Sequence, residues 1–133
     1  MKKIEHIGIA VKDLEASNAL FEKLLGAPAY KTETVDSEGV RTAFFAAGPN
    51  KVELLEALHG DSPVAKFLEK RGEGVHHIAF LVDDIVAELA RLKKEGFVLL
   101  NEVPKKGADN KWVAFVHPKS ANGVLVELCQ EIE

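Results

Sequence analysis

The chain has 133 residues, 47% of them hydrophobic and 29% charged, with a net charge of -4 and no basic run. That suits a soluble globular chain with a real core and excludes a nucleic-acid surface, which needs clustered Lys and Arg. The only cysteine, Cys129, excludes an internal disulfide and a cysteine-based zinc site and fits a reducing cytoplasm. No apolar run approaches the ~18 residues that span a membrane, and Met1-Lys2-Lys3 leads into a strand pattern rather than an apolar signal core.

In chain order, Ile4 to Val11 alternates with period two and predicts a strand. Ile7, Ile9 and Val11 point one way, His6, Gly8 and Ala10 the other. Asp13 is placed to cap a helix whose apolar stripe is Leu14, Leu20, Phe21, Leu24 and Leu25, with Gly26 as its stop. Strands are predicted at Ala29 to Val35, Val40 to Ala47 and Lys51 to Leu58, separated by the turn signals Asp36-Ser37-Glu38-Gly39 and Gly48-Pro49-Asn50. Residues 59–74 form a bridge, and Ser62 followed by Pro63 predicts a short helix within it. Val75 to Val82 then reads as strand, and Asp84 to Glu95 as helix with Ile85, Leu89 and Leu92 as its core stripe. Phe97 to Asn101, Lys111 to His117 and Val124 to Gln130 read as strands, Pro104 to Asn110 as a polar loop and Pro118 to Gly123 as a turn.

The two halves repeat one another. His6-Ile7-Gly8-Ile9-Ala10-Val11, with Asp13, Leu14 and Ala16, returns as His77-Ile78-Ala79-Phe80-Leu81-Val82, with Asp84, Ile85 and Ala87; Val52-Glu53-Leu54 returns as Val126-Glu127-Leu128. A fixed repeat is the strongest organising signal a sequence carries. The fold class predicted is α+β: two tandem βαβββ modules, about 1–58 and 75–133, pairing into a cup-like eight-stranded mixed sheet with helices outside. Such a sheet has a natural concavity for a ligand.

The repeat also nominates the chemistry. A lone strand histidine is ordinarily structural, and a lone strand glutamate ordinarily faces solvent. Here each half supplies one of each at matching places, with small neighbours Gly8, Ala10 and Ala79 on the histidine faces. A buried carboxylate is costly unless paired or coordinated. Two imidazoles and two carboxylates suit a Co, Mn, Fe, Ni or Zn ion. The candidate metal ligands are therefore His6, Glu53, His77 and Glu127.

The remaining candidates carry less. His76 points to the helix-covered face and is read as structural. His59 is read as solvated, His117 as lining the mouth of the site, and Glu38 and Glu56 as exposed. Ser120 has no base in the pattern, so a nucleophile triad is unsupported. Gly107 and Gly123 are turn glycines, since neither opens a helix as a phosphate loop requires. Lys105, Lys106, Lys111 and Lys119 are candidate phosphate partners on a solvated surface.

Over essentially its whole length the chain resembles the vicinal-oxygen-chelate superfamily (glyoxalase, bleomycin resistance, dioxygenase) and within it the methylmalonyl-CoA epimerase family. The stretches that carry this are His6 to Val11, Val52-Glu53-Leu54-Leu55, residues 61–68, Val75 to Phe80, His117-Pro118-Lys119-Ser120, and Gly123 to Leu128. The bridge and the His-Pro-Lys-Ser segment are the more specific to the epimerases. The resemblance implies one domain over 1–133 and a divalent metal, cobalt foremost, held by His6, Glu53, His77 and Glu127. It implies inversion at the α-carbon of an acyl-CoA through a metal-stabilised enolate, with Glu127 as both ligand and acid/base group, in a cytoplasmic homodimer. A glyoxalase I-like lactoylglutathione lyase and a non-catalytic small-molecule binder are the alternatives. Some members carry Gln at the place of Glu53; two carboxylates formally neutralise a divalent ion and soften its Lewis acidity. A second family acid often lies three residues after the glycine of the Gly-Val turn. Here that position is Thr42, which cannot act as a carboxylate.

Overall fold

The computed structural model describes residues 1–133. Eight strands and three α-helices follow the order β1 (Lys3–Ala10), α1 (Leu14–Leu25), β2 (Lys31–Val35), β3 (Val40–Ala47), β4 (Asn50–Ala57), α2 (Pro63–Arg71), β5 (Gly74–Leu81), α3 (Ile85–Lys94), β6 (Lys105–Gly107), β7 (Lys111–Val116) and β8 (Val126–Glu131). Short 3-10 turns lie at Asp36–Glu38 and Pro118–Ser120. The expected α+β class and the twofold βαβββ repeat are both present. No helix is long and apolar enough to cross a membrane.

The chain forms two compact units, one of His6–His76 and one of Met1–Glu5 with His77–Glu133. In the first, the strand order is β2-β3-β4-β1: β1 runs parallel to β4, and the other neighbours are antiparallel. In the second, the order β5-β8-β7-β6 repeats that topology, with β5 parallel to β8. The N-terminal residues serve the second unit, where the Lys2 N–H donates to the Leu81 carbonyl at 2.8 Å.

Each module's helix starts for the same two reasons. Asp13 accepts from the Ala16 N–H and Asp84 from the Ala87 N–H, both at 3.1 Å, so each caps the helix it precedes. A second acceptor comes from the last strand of the module. Glu56 Oε2 accepts from the Leu14 N–H, and Gln130 Oε1 from the Ile85 N–H, both at 2.8 Å. These four bonds satisfy N–H groups that a helix leaves open at its start. Helix α1 ends at Gly26, whose φ of 82° is the left-handed conformation that ends many helices. The bridge helix α2 forms as its Ser-Pro start predicts, with Ser62 Oγ accepting from the Ala65 N–H at 3.1 Å.

Each unit has a core between its helix and one face of its strands. The first gathers Val11, Leu14, Ala43, Phe45 and Leu54, with Ile9 and Phe21 packed against them. The second gathers Val82, Ile85, Leu89, Leu92, Ala114, Val116 and Leu128. The α3 stripe is as expected. The α1 stripe is narrower: Leu20 and Leu24 are 62% and 69% exposed, and Leu25, at the helix end, 37%. At about 100° per residue, Leu14, Phe21 and Leu25 fall in one line, while Leu20 and Leu24 turn away from it by roughly 120° and 80°.

Phe97 to Asn101 does not become a strand. Val98 and Leu100 exchange backbone hydrogen bonds with His117 and Phe115, but only Leu99 forms a bridge, with Val116. The Asn101 side chain then takes the Phe115 N–H at 3.0 Å in place of a further rung. The strand lies instead at Lys105–Gly107, within the expected polar loop. It closes on β7 through a turn with Asp109 and Asn110 at φ 57° and 54°, a left-handed conformation that Asn and Asp adopt more readily than most residues. Gly107 is needed here, because a Cβ would stand 2.9 Å from a Val113 methyl.

Candidate metal centre

Strand alternation sorts β1 and β5 as the sequence predicts. Ile9 and Val11 face the first core, and Phe80 and Val82 the second. His6 and His77 stand on the opposite faces and are 5% and 4% exposed. Glu53 lies opposite Gly8 in the β1–β4 register, and Glu127 opposite Ala79 in the β5–β8 register. The small residue in each case leaves the carboxylate free to turn toward the imidazole two residues back along the strand.

It does so with the same geometry in both modules. His6 Nε2 and Glu53 Oε1 are 3.3 Å apart, and so are His77 Nε2 and Glu127 Oε1. Phe44, opposite Glu53, meets His6 edge-to-face with ring centroids 6.4 Å apart; Phe115, opposite Glu127, meets His77 likewise at 6.1 Å. Each half thus builds a row of histidine, glutamate and phenylalanine. The two phenylalanines were not anticipated, although their 71-residue spacing matches that of the histidines.

Each pair has the spacing of two ligands of one ion. His6, His77 and Glu127 each offer a buried ligand atom; Glu53, predicted as the fourth ligand, is 4% exposed but lies outside that set. Imidazole and carboxylate ligands bind ions such as Zn2+ at about 2.0–2.2 Å. Two ligands about 2.1 Å from one ion stand roughly 3.0–3.4 Å apart at angles between octahedral and tetrahedral. The observed 3.3 Å falls in that range. A divalent ion would also compensate buried carboxylates, which are costly without a partner.

The other candidates lie elsewhere or serve structure. His76 stacks edge-to-face on Phe67 of α2 at 5.0 Å, so its role is packing. His117 Nδ1 accepts the Lys119 N–H at 3.0 Å, and Ser120 Oγ donates to the His117 carbonyl at 3.0 Å. His59 is exposed, as read. Glu56 is not a free surface carboxylate but the acceptor at the start of α1. Glu38 is half-buried and Asp36 exposed in the 3-10 turn. Lys106 and Lys119 are exposed and Lys105 half-buried, whereas Lys111 is buried, donating to the Asp109 carbonyl at 3.1 Å. Thr42 is fully buried on β3.

Comparison with known proteins agrees with this architecture. Residues 5–115 match the family described as the glyoxalase/bleomycin resistance protein/dioxygenase superfamily. An ethylmalonyl-CoA/methylmalonyl-CoA epimerase of Cereibacter sphaeroides is 45% identical, over 96% of this chain and 97% of its own length. The mitochondrial methylmalonyl-CoA epimerase of Homo sapiens is 43% identical, over 96% of this chain and 73% of its own. A variant of the Streptomyces coelicolor methylmalonyl-CoA epimerase, in complex with 2-nitronate-propionyl-CoA, superposes with a TM-score of 0.95 at 37% identity, covering 98% of this chain and 95% of that one. The chain therefore belongs to the glyoxalase/bleomycin resistance/dioxygenase superfamily, and within it to the methylmalonyl-CoA epimerases, isomerases of the racemase and epimerase class.

Proposed function

We propose that the protein epimerises methylmalonyl-CoA in a metal-dependent reaction, with His6, Glu53, His77 and Glu127 holding one divalent ion. The duplicated His–Glu pair, buried and 3.3 Å across in each module, carries this reading. The sequence kinship with named epimerases supplies the substrate class. A bound divalent ion supplies electrostatic stabilisation for the negative charge that develops as the α-proton leaves.

The chain's own residues do the rest. The imidazoles and carboxylates fix the donor set, and cobalt, manganese, nickel, zinc and iron all accept such ligands, with cobalt the proposed ion. Gly8 and Ala79 keep the space beside the donors open for the acyl group. Phe44 and Phe115 hold the imidazole planes from the side. Glu127 moves a proton to or from the α-carbon as general base or acid. Thr42 is not the second proton carrier, because an aliphatic hydroxyl does not ionise near neutral pH. The proposed assembly is a cytoplasmic homodimer.

The test is α-proton exchange. Metal-stripped and cobalt-reconstituted protein are incubated with one stereoisomer of methylmalonyl-CoA in D2O. Metal-dependent deuterium incorporation with loss of stereochemical purity is the expected result. Folded, metal-loaded protein that leaves the substrate unlabelled and optically pure contradicts the reading.

A further inference from the structure

Strand β3 has two faces with different work. Ala43 and Phe45 belong to the first core, whereas Phe44 turns the other way and meets His6. Thr42, two residues from Phe44, shares the face of His6 and Glu53. In the β3–β4 register Thr42 opposes Leu55, one side-chain step along that face from Glu53. Its Oγ1 is closed to solvent and has no hydrogen-bond partner. A buried polar atom without a partner is rare in a folded protein and calls for an explanation.

The internal repeat says that packing is not the explanation. Offset by 71 residues, as Phe44 is from Phe115, the place of Thr42 in the second module is taken by Val113. Val113 is buried and opposes Cys129, as Thr42 opposes Leu55. Valine has nearly the shape of threonine without the hydroxyl, so the same architecture is filled there without a polar atom. The first module instead keeps a hydroxyl on the face of its sheet that bears His6 and Glu53. His6 and Glu53 are only 5% and 4% exposed themselves. A substrate that reaches them opens the same face to Thr42.

We infer that Thr42 Oγ1 donates a hydrogen bond to an anionic oxygen of the bound acyl-CoA, a carboxylate oxygen or the oxygen on which enolate charge develops. This rests on the proposed epimerase function and adds a substrate-contacting residue to it. The hydroxyl transfers no proton; it supplies a dipole at the negative charge, and its unpartnered state is resolved when substrate binds.

The test uses Thr42→Val, Thr42→Ser and Thr42→Ala in metal-loaded protein. Each is read by α-proton exchange, by calorimetric titration with methylmalonyl-CoA, and by thermal unfolding without substrate. A hydrogen bond to a charged group corresponds to roughly a 10- to 100-fold effect. Thr42→Val is expected to lose about that much in kcat/KM while its melting temperature stays level or rises, since it buries no unpaired hydroxyl. Serine keeps the hydroxyl and loses a methyl, whereas valine keeps the volume and loses the hydroxyl, so activity retained in Thr42→Ser and lost in both Thr42→Val and Thr42→Ala isolates the hydroxyl from packing. A rise in KM assigns the bond to the ground-state carboxylate, and a fall in kcat to the developing charge. Exchange and binding that are unchanged in Thr42→Val, or equally reduced in the serine and alanine variants, overturn the inference. If wild-type protein binds methylmalonyl-CoA but exchanges no proton, the epimerase reading fails separately. The binding constants of the three variants then decide the role of Thr42.

Discussion

Glu56 and Gln130 do the same work in the two modules. Each stands three residues beyond the glutamate of its His–Glu pair, and each accepts the first backbone N–H of its module's helix at 2.8 Å. The strand that presents the candidate ligand therefore also anchors the helix behind it. The second module does this with a neutral amide, so the charge of Glu56 is dispensable and its oxygen is not. Glu56→Gln is expected to unfold as wild type does in urea. Glu56→Ala is expected to lose about 1–2 kcal/mol, because the Leu14 N–H is left half-buried without its acceptor.

The proposed site of His6, Glu53, His77 and Glu127 links metal binding to folding. Cobalt added to metal-free protein at about 100 times its dissociation constant is expected to stabilise it by roughly 2.7 kcal/mol. At the same cobalt concentration the gain disappears in His77→Ala and shrinks in Glu53→Gln. Thermal unfolding with and without cobalt measures this. Equal gains in wild type and His77→Ala would show that the ion binds elsewhere.

Acid titration reports on α3. The guanidinium of Arg91 donates to both Glu88 oxygens at 3.0 Å and holds that carboxyl below the ordinary glutamate range. A depressed folded-state value means the unfolded chain takes up the proton first as pH falls. The stabilisation is present above the unfolded pKa and fades as pH drops through the folded one. Stability curves of wild type and Arg91→Ala are thus expected to separate slightly at neutral pH and converge in acid. The difference is small because the pair lies at the surface, with Arg91 in solvent, and it shrinks with added salt.

The two helices also divide sharply in what a leucine is worth. Leu89 is buried in the second core, and Leu89→Ala is expected to cost about 2–5 kcal/mol. Leu24 is 69% exposed, and Leu24→Ala is expected to fall within about 0.5 kcal/mol of wild type. Urea unfolding of the two variants measures the contrast.

Much of this molecule was legible because it is written twice. The repeat placed His6 with Glu53 and His77 with Glu127, and alternation put them on the faces opposite Ile9 and Phe80. Capping chemistry located the starts of α1 and α2 at Asp13 and Ser62, and the repeat of Asp13-Leu14 as Asp84-Ile85 marked that of α3. Tertiary contacts decided what was missed. Leu20 and Leu24 look like core in a count of apolar residues, but a single sheet face can bury only one line of α1. Phe97 to Asn101 has strand composition, yet the Asn101 side chain takes the Phe115 N–H that a strand rung would use. The strand at Lys105–Gly107 is three residues long and polar, so no periodicity marks it. Its pairing depends on the Asp109-Asn110 turn and on the missing side chain of Gly107. The helix-anchoring role of Glu56 is invisible in one module and emerges only from its match with Gln130.

Metal stoichiometry decides whether the two His–Glu pairs act as the one site proposed. Metal-free protein is titrated with cobalt by calorimetry, alongside His6→Ala and His77→Ala. One ion per chain, lost in either variant, is the predicted result, since each module supplies only half of the ligands. Two ions per chain, or one histidine variant that binds cobalt as tightly as wild type, would contradict it.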